Sequence, residues 1–345
     1  MTSVSSGSEK INIPMILKPS GKDYLWGGRR LKDDFGKEEI DMSPLAETWE
    51  FSTHPEGESI SASGPFKGMK LSEIVRMHPA MLGTNYLDAG NTPGDIPVLV
   101  KFIDASKDLS VQVHPTDEYA LLNENGQRGK SEMWYVVDAQ KDAKLVYGFK
   151  REVSKELIMK AIEEGTLEKL LQFVPVHKGD VFFINAGIIH GICKGALVAE
   201  VQECSNLTYR IYDYDRVDKT GKKRDLHIEK ALDVICTDSS AAPRQPMRVF
   251  KYKPGYASEF LFRCRYFQTE RVLINTERIR KMADFATGAD SFEVLLCIDG
   301  CGTIFYDDGD TGKSLDFFKG DCIFVPASSV SMKLHGQAEF LKISC

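Results

Sequence analysis

Residues 178–210 read KGDVFFINAGIIHGICKGALVAEVQECSNLTYR, and this stretch decides the fold expected of the chain. Gly179 opens it, an apolar run ends at Ile184, and the triplet Asn185-Ala186-Gly187 is separated from His190 by two residues. Because glycine tolerates the backbone of a sharp turn, this order predicts a strand, a tight turn and an imidazole at the start of the next strand. A lone histidine in such a hairpin is more often a core residue than a ligand, so other residues must decide between these interpretations.

The composition of the 345-residue chain is that of an ordinary globular protein, with 42% hydrophobic and 27% charged residues. A net charge of −6 argues against a non-specific nucleic-acid partner. No apolar run reaches the roughly 18 residues of a spanning helix, so we expect no membrane partner. Eight cysteines without a CxxC pair favour reduced thiols and a cytoplasmic location. The polar residues 1–12 are expected to form a disordered arm.

Polar side chains are expected on one face of two neighbouring strand patterns. Residues 97–114, PVLVKFIDASKDLSVQVH, predict two strands, and the second carries alternate polar residues. Residues 129–139, GKSEMWYVVDA, predict a further strand with the same alternation. The polar residues expected to share these faces are Ser110, Gln112, His114, Lys130 and Glu132.

An acidic residue is also expected beside aromatic rings. In residues 46–51, AETWEF, the alternation places Glu47, Trp49 and Phe51 on one strand face. Such a carboxylate either meets a cation or polar ligand inside the protein or lies at the solvent edge, and the pattern leaves both open. Trp26 precedes Gly27-Gly28, a combination found at pocket walls and at plain corners.

Helices are expected at 71–81 with Ser72 as a cap, after Pro115 as far as Asn123, at 154–172 and at 228–235. Residues 237–247, TDSSAAPRQPM, are the best candidate for a linker.

Two imidazoles, a carboxylate and an amide oxygen could meet in the first part of the chain. Gln112 and His114 share one strand face, Glu132 belongs to the next strand pattern and His190 to the hairpin. These donors suit Zn²⁺ or Fe²⁺. We therefore predict one metal ion, held by these four residues.

The C-terminal part repeats the pattern without the ligands. KGDVFFINAGIIH at Lys178–His190 aligns without a gap on KGDCIFVPASSVS at Lys319–Ser331, and Glu132–Asp138 aligns on Glu293–Asp299. Ser331 replaces the histidine. The repeat predicts a mainly β protein with two related units, a metal-binding unit with helical insertions at 13–236 and a unit without metal ligands at 248–345.

These residues resemble the cupin superfamily, whose second motif, G-x5-P-x-G-x2-H, is matched by Gly179–His190 with Asn185 in place of the proline. More closely, the chain resembles type I mannose-6-phosphate isomerases in their short bacterial form. The resemblance covers about residues 13–345. It is carried by WGG at 26–28, AETW at 46–49, SVQVHP at 110–115, KSEMWY at 130–135, GIIHG at 187–191 and TYRIYDYDR at 208–216.

The resemblance implies two cupin-type jelly-roll barrels and a role for each matching residue. Gln112, His114, Glu132 and His190 match the family's zinc ligands, which implies one Zn²⁺ per chain. Arg210 matches its catalytic arginine. The residues matching its pocket lining are Trp26, Glu47, Lys130 and Glu200.

The implied reaction converts mannose 6-phosphate to fructose 6-phosphate through an enediolate, in a monomer or homodimer. Lys130 and Glu200 are candidates for proton handling, and Arg210 for charge stabilisation. Ser110 with Lys101 or Lys107 could bind the phosphate, although all three could equally be plain polar residues. Two alternatives stay open, namely another cupin enzyme, such as an iron-dependent sugar isomerase or a dioxygenase, and a non-catalytic sugar-phosphate-binding cupin.

Overall fold

The computed structural model describes residues 11–345 apart from 90, 91, 93, 218, 219, 241, 242, 244, 246, 280, 310 and 311. Of the expected arm at 1–12, all but residues 11 and 12 lie outside this described part.

The first part of the chain alternates strands with short helices. Its strands are β1 (Met15–Lys18), β2 (Ser20–Lys22), β3 (Glu47–Phe51), β4 (Ile60–Ser61), β5 (Val98–Asp104), β6 (Val111–Val113), β7 (Glu132–Ala139), β8 (Lys144–Phe149), β9 (Leu171–Pro175), β10 (Val181–Ile184), β11 (His190–Ile192), β12 (Ala196–Glu203) and β13 (Tyr209–Tyr212). Its helices are α1 (Arg30–Asp33), α2 (Leu71–Met77), α3 (Thr84–Asp88), α4 (Asp117–Asn123), α5 (Lys155–Glu163) and α6 (Ile228–Val234), with 3-10 turns at Pro79–Leu82 and Leu167–Lys169.

The second part consists of strands and turns within the described residues. Its strands are β14 (Phe250–Lys253), β15 (Tyr256–Arg263), β16 (Gln268–Asn275), β17 (Ala283–Phe285), β18 (Glu293–Asp307), β19 (Gly312–Phe318), β20 (Cys322–Val325) and β21 (Met332–Ser344). The expected mainly β fold with inserted helices is confirmed.

Two antiparallel sheets build the first unit. One has the order β10-β7-β12-β5-β3-β2, and the other has the order β13-β6-β11-β8-β9. Within the described residues, neither order closes into a continuous hydrogen-bonded ring, and the unit is a sandwich of two sheets, which is consistent with the expected jelly roll.

A third sheet, of ten strands, builds the second unit and also takes in β1 and β4. Met15 to Leu17 of β1 pair with Phe324 to Cys322 of β20. The N-terminal strand therefore joins the sheet of the C-terminal unit, although the boundaries drawn from the sequence place it with the first. Those boundaries stay a prediction.

The aligned segments have matching hydrogen bonds in the two units. Ile184 pairs with Glu132, and Val325 pairs with Glu293. Gly179 and Gly320 both have positive φ, at 88° and 97°. The amide of Gly179 donates to the carbonyl of Val136 at 2.7 Å, and that of Gly320 donates to Cys297 at 2.8 Å. The same turn and the same strand register thus occur twice.

The helix expected at 154–172 is shorter than the sequence pattern indicates. α5 ends at Glu163, Gly165 follows with a φ of 65°, and the last residues of the range form a 3-10 turn and the start of β9. A left-handed glycine stops helical hydrogen bonding, so the helix ends there although the apolar period of the sequence continues. Ser72 is not a cap either, since Lys70 precedes α2 and the Ser72 hydroxyl donates to Glu58.

The expectation that Phe51 shares a face with Glu47 and Trp49 is wrong. A β-bulge between Trp49 and Phe51 shifts the register of β3 against β5. A bulge adds one residue to a strand and turns the next side chain to the other face. Phe51 therefore packs against Phe292 and Phe324, with ring centroids at 5.5 and 5.8 Å, in the core shared by the two units.

The described part of the predicted linker packs on the first unit. Gln245 Oε1 accepts a hydrogen bond of 2.7 Å from the amide of Val181, and the amide of Ser240 donates to Phe149 at 3.0 Å. A search of the described residues finds no helix both long and apolar enough to cross a membrane. The cytoplasmic location stays a prediction.

Candidate active site

Four of the residues singled out in the sequence come from both sheets of the first unit and meet between them. Gln112 lies on β6 directly opposite His190, the first residue of β11. His114 follows β6, and its carbonyl accepts a 2.8 Å hydrogen bond from the amide of Gly187 in the hairpin turn. Gly187 has a φ of 89°, which favours glycine there. Glu132 begins β7 in the opposite sheet.

The polar atoms of this cluster have the spacing of a metal site. Glu132 Oε1 lies 3.3 Å from His190 Nε2, and Glu132 Oε2 lies 3.5 Å from His114 Nε2. The side-chain amide of Gln112 lies 3.4 Å from His190 Nε2, and either amide atom could occupy that position. Ligands bound at 2.0–2.1 Å in a tetrahedron are about 3.4 Å apart, so the four residues fit one ion such as zinc.

Both imidazoles are oriented as metal ligands. His114 Nδ1 lies 2.9 Å from the carbonyl of Leu207, and His190 Nδ1 lies 2.8 Å from that of Ile188. A carbonyl accepts only from a protonated Nδ1, which leaves the Nε2 lone pair for an ion. Burial lowers the pKa of His114 to about 3 and that of His190 below its usual value. Both rings are therefore neutral at pH 7, as ligation requires.

Glu132 is fully buried, and its charge is held by nearby cations. Burial alone would raise the pKa of Glu132, but the Lys130 ammonium, 3.1 Å from Oε2, and the interactions with His114 and His190 together keep it well below the usual value. Within the described part of the chain, neither Glu132 carboxylate oxygen has a hydrogen-bond partner, and nor does His114 Nε2. Buried polar atoms without partners are costly, and a bound cation would satisfy all three.

A second set of buried charges lies beside this cluster. Lys101 Nζ lies 3.7 Å from Glu47 and 3.4 Å from Glu200, and Lys130 lies 3.9 Å from Glu200. Trp134 Nε1 donates a 2.9 Å hydrogen bond to Glu200 Oε2. Burial, followed by repulsion from Glu132, raises the pKa of Glu200 above its usual value. The Glu47 carboxylate accepts a hydrogen bond from Trp49 Nε1 and points into the protein. Of the two interpretations of this strand, the inward carboxylate is therefore the one that the structure has, and the solvent-edge position is not.

One cavity of about 200 Å³ contains most of the predicted residues. Its lining includes Trp26, Glu47, Lys101, Ser110, Gln112, Lys130, Glu200 and Arg210. Lys107, the alternative phosphate candidate, is exposed and is not part of the lining. Trp26 reaches this wall because the next residue, Gly27, packs on Ala46, where an added Cβ would lie 2.6 Å from the Ala46 Cα. The roles of all these residues stay predictions.

Four polar lining residues were not singled out from the sequence, namely Tyr24, Asn206, Thr208 and Arg224. Arg224 belongs to the polar loop DKTGKKRD at 218–225, whose basic residues were the only sequence signal for it. The guanidinium of Arg224 forms two hydrogen bonds with Asp213, from Nε to Oδ2 at 2.8 Å and from Nη2 to Oδ1.

The described residues of the second unit contain no comparable ligand set. Glu293, at the position of Glu132, pairs with Lys342 at 3.3 Å. Among the described residues, His114, Glu132 and His190 are the only group of three His, Cys, Asp or Glu side chains close enough to hold an ion.

Comparisons with known proteins agree on one family. A model of the catalytic domain of type I phosphomannose isomerase matches residues 15–159. The mannose-6-phosphate isomerase ManA of Bacillus subtilis is 36% identical over 328 residues, covering 94% of this chain and 97% of the relative. The probable mannose-6-phosphate isomerase GmuF of the same organism is 44% identical over 222 residues, covering 64% of this chain and 68% of the relative. A crystal structure of the B. subtilis mannose 6-phosphate isomerase superposes with a TM-score of 0.84 and 32% identity, covering 96% of this chain and 99% of that one.

Paired antiparallel sheets with two buried imidazoles and a buried carboxylate between them are consistent with a cupin-type fold that carries a metal site. Similarity over nearly the whole length then identifies the family. The chain belongs to the type I mannose-6-phosphate isomerases, which are aldose–ketose isomerases, as the sequence motifs predicted.

Proposed function

We propose that this enzyme interconverts mannose 6-phosphate and fructose 6-phosphate with one zinc ion held by Gln112, His114, Glu132 and His190. The observation that carries the proposal is the unsatisfied Glu132 carboxylate, which lies 3.3 and 3.5 Å from two neutral imidazoles beside a cavity with several charged groups. A bound zinc ion would supply Lewis-acid stabilisation of negative charge on the substrate oxygens.

Isomerisation requires a proton to leave one carbon of the sugar and another to reach its neighbour. Glu200 suits this task, because a carboxylate with a raised pKa accepts a proton more readily at neutral pH and can return it. The Trp134 hydrogen bond fixes Oε2, which leaves Oε1 near Lys101 and Lys130. Lys130 is the second proton-handling group in the proposal, because its ammonium lies between Glu132 and Glu200.

Arg210 stabilises charge in the enediolate intermediate of the proposed reaction. It lies opposite Gln112 in the pairing of β13 with β6, and its Nε lies 3.4 Å from Ser110 Oγ. Its Nη1 donates to the carbonyl of Asp225 at 2.9 Å. An arginine held in this way offers fixed positive charge without reorganisation during the reaction. Glu47, Lys101 and Trp26 then contact the sugar.

A coupled assay of fructose 6-phosphate formation from mannose 6-phosphate tests the proposal. We expect turnover with zinc and loss of turnover after chelation. Oxygen consumption, or turnover restored by iron and not by zinc, would instead favour another cupin enzyme. Binding of mannose 6-phosphate without turnover in the zinc-loaded protein would favour the non-catalytic alternative.

A further inference from the structure

The cavity has two chemically different regions. In one, Lys101 and Lys130 are each close to two carboxylates, at distances of 3.1–3.9 Å. Ammonium groups paired in this way suit sugar hydroxyls and are poor sites for a phosphate dianion, which the carboxylates would repel. The other region contains the two arginines of the lining, Arg210 and Arg224, together with Ser110.

The arginine region has an excess of positive charge. Arg216 and Arg224 both donate hydrogen bonds to the carboxylate of Asp213. Among the described residues, the guanidinium of Arg210 donates hydrogen bonds only to neutral oxygens, the Ser110 hydroxyl and the Asp225 carbonyl. Both guanidiniums line the same cavity, and like charges in one cavity repel each other. An anion between them would relieve this repulsion.

Arg224 is preorganised for an external anion. Asp213 fixes its guanidinium through Nε and Nη2, and none of its hydrogen bonds to the described residues uses Nη1. Burial alone would raise the pKa of Asp213, but the hydrogen bonds from Arg224 and Arg216 outweigh burial and lower it. Asp213 therefore stays charged, and its two hydrogen bonds hold the planar guanidinium of Arg224 in one orientation.

The distance along the strand also suits a phosphorylated sugar. Ser110, which contacts Arg210, directly precedes β6 and lies two residues before Gln112, so the two are about 6.6 Å apart along extended backbone. The phosphate of a six-carbon sugar could thus lie at Ser110 while its reacting carbons lie near the cluster of Gln112, His190 and Glu132.

From these observations we infer that Arg224 is the residue that binds the phosphate group of the substrate, supported by Asp213 and adjacent to Arg210. The inference rests on the proposed function for the identity of the sugar. It also separates two tasks, because Arg224 binds charge already present in the ground state whereas Arg210 meets charge that develops during the reaction.

Arg224→Gln and Lys223→Gln form a matched pair for the test. Both remove one positive charge from the same loop, but Lys223 pairs with the exposed Asp215 at 2.6 Å and does not line the cavity. Arg224→Gln should raise KM for mannose 6-phosphate about 10- to 100-fold, the loss expected for a charge-assisted hydrogen bond, and change kcat less than about threefold. Lys223→Gln should leave both constants near wild type. Arg224→Lys, which keeps the charge, should show a smaller rise in KM and serves if Arg224→Gln does not fold.

Titration calorimetry with inorganic phosphate provides a readout that does not depend on turnover. The wild-type protein and Lys223→Gln should bind phosphate, and Arg224→Gln should bind it at least about tenfold more weakly. If the three proteins bind phosphate as expected but mannose 6-phosphate is not isomerised, the proposed function is wrong and Arg224 is still an anion-binding residue. Equal effects of the two variants, a fall in kcat with KM unchanged, or a wild-type protein that does not bind phosphate would each overturn the inference.

Discussion

His190 Nε2 lies 3.3 Å from Glu132 Oε1, although the two residues belong to different sheets of the first unit. Their side chains join the hairpin of residues 178–190 to the strand β7, although His190 and Glu132 are 58 positions apart in the sequence (190 − 132). An ion bound there would be held by both sheets, and Glu200, which we propose to handle protons, lies on the neighbouring strand β12.

Replacing His190 should abolish metal binding and catalysis together. We expect His190→Ala to lose stoichiometric zinc and more than about 100-fold in kcat, because even outer-shell changes at metal sites cost 10–100-fold. Far-UV circular dichroism should show that the variant stays folded. The matched control is Ser331→Ala, at the corresponding position of the second unit, which should keep kcat near wild type. Normal zinc content and turnover in His190→Ala would show that the ligand assignment is wrong.

Replacing Arg210 by lysine keeps the charge and removes the planar fork. We expect kcat to fall roughly 10²-fold, with KM less affected and zinc still bound, because the charge that Arg210 meets is largely absent from the ground state. Steady-state kinetics with metal analysis measures this. A raised KM with normal kcat would move the phosphate-binding role to Arg210.

Glu203 should make stability depend on pH. It accepts a 2.7 Å hydrogen bond from the amide of Ser131, between the two active-site residues Lys130 and Glu132. Burial, helped by repulsion from Asp117, raises the pKa of Glu203 to about 7. A carboxyl with a raised pKa binds its proton more tightly in the folded state, so the free energy of unfolding falls as pH rises from about 4.5 to 7.

The isosteric variant Glu203→Gln removes this titration and keeps an oxygen for the Ser131 amide. Its free energy of unfolding relative to wild type should therefore increase between pH 5 and pH 8, by up to about 3 kcal/mol. Urea denaturation at several pH values measures the difference. A difference between the two proteins that does not change with pH would mean that Glu203 titrates normally in the folded state.

The sequence predicted the family and eight of the sixteen residues that line the cavity, because the signals are local. Alternation on single strands places Ser110, Gln112 and His114 on one face, and a turn glycine precedes His190, so each side chain could be oriented without tertiary information. The motifs of the family then linked these segments.

Other features depend on contacts distant in sequence. The bulge turns Phe51 away from the cavity and into the core between the two units. The pairing of β1 with β20 brings together the two ends of the chain. Arg224 lies in a loop without apolar period, and only its contact with Asp213 directs it to the cavity. Periodicity carries no information about such contacts.

The most direct test of the account is a titration of zinc into the metal-free protein while turnover of mannose 6-phosphate is measured. Activity should rise in proportion to bound zinc and level off at one zinc per chain, and His190→Ala should show no such rise. Full turnover in the metal-free protein, or a zinc-loaded protein that binds mannose 6-phosphate and does not isomerise it, would contradict the account.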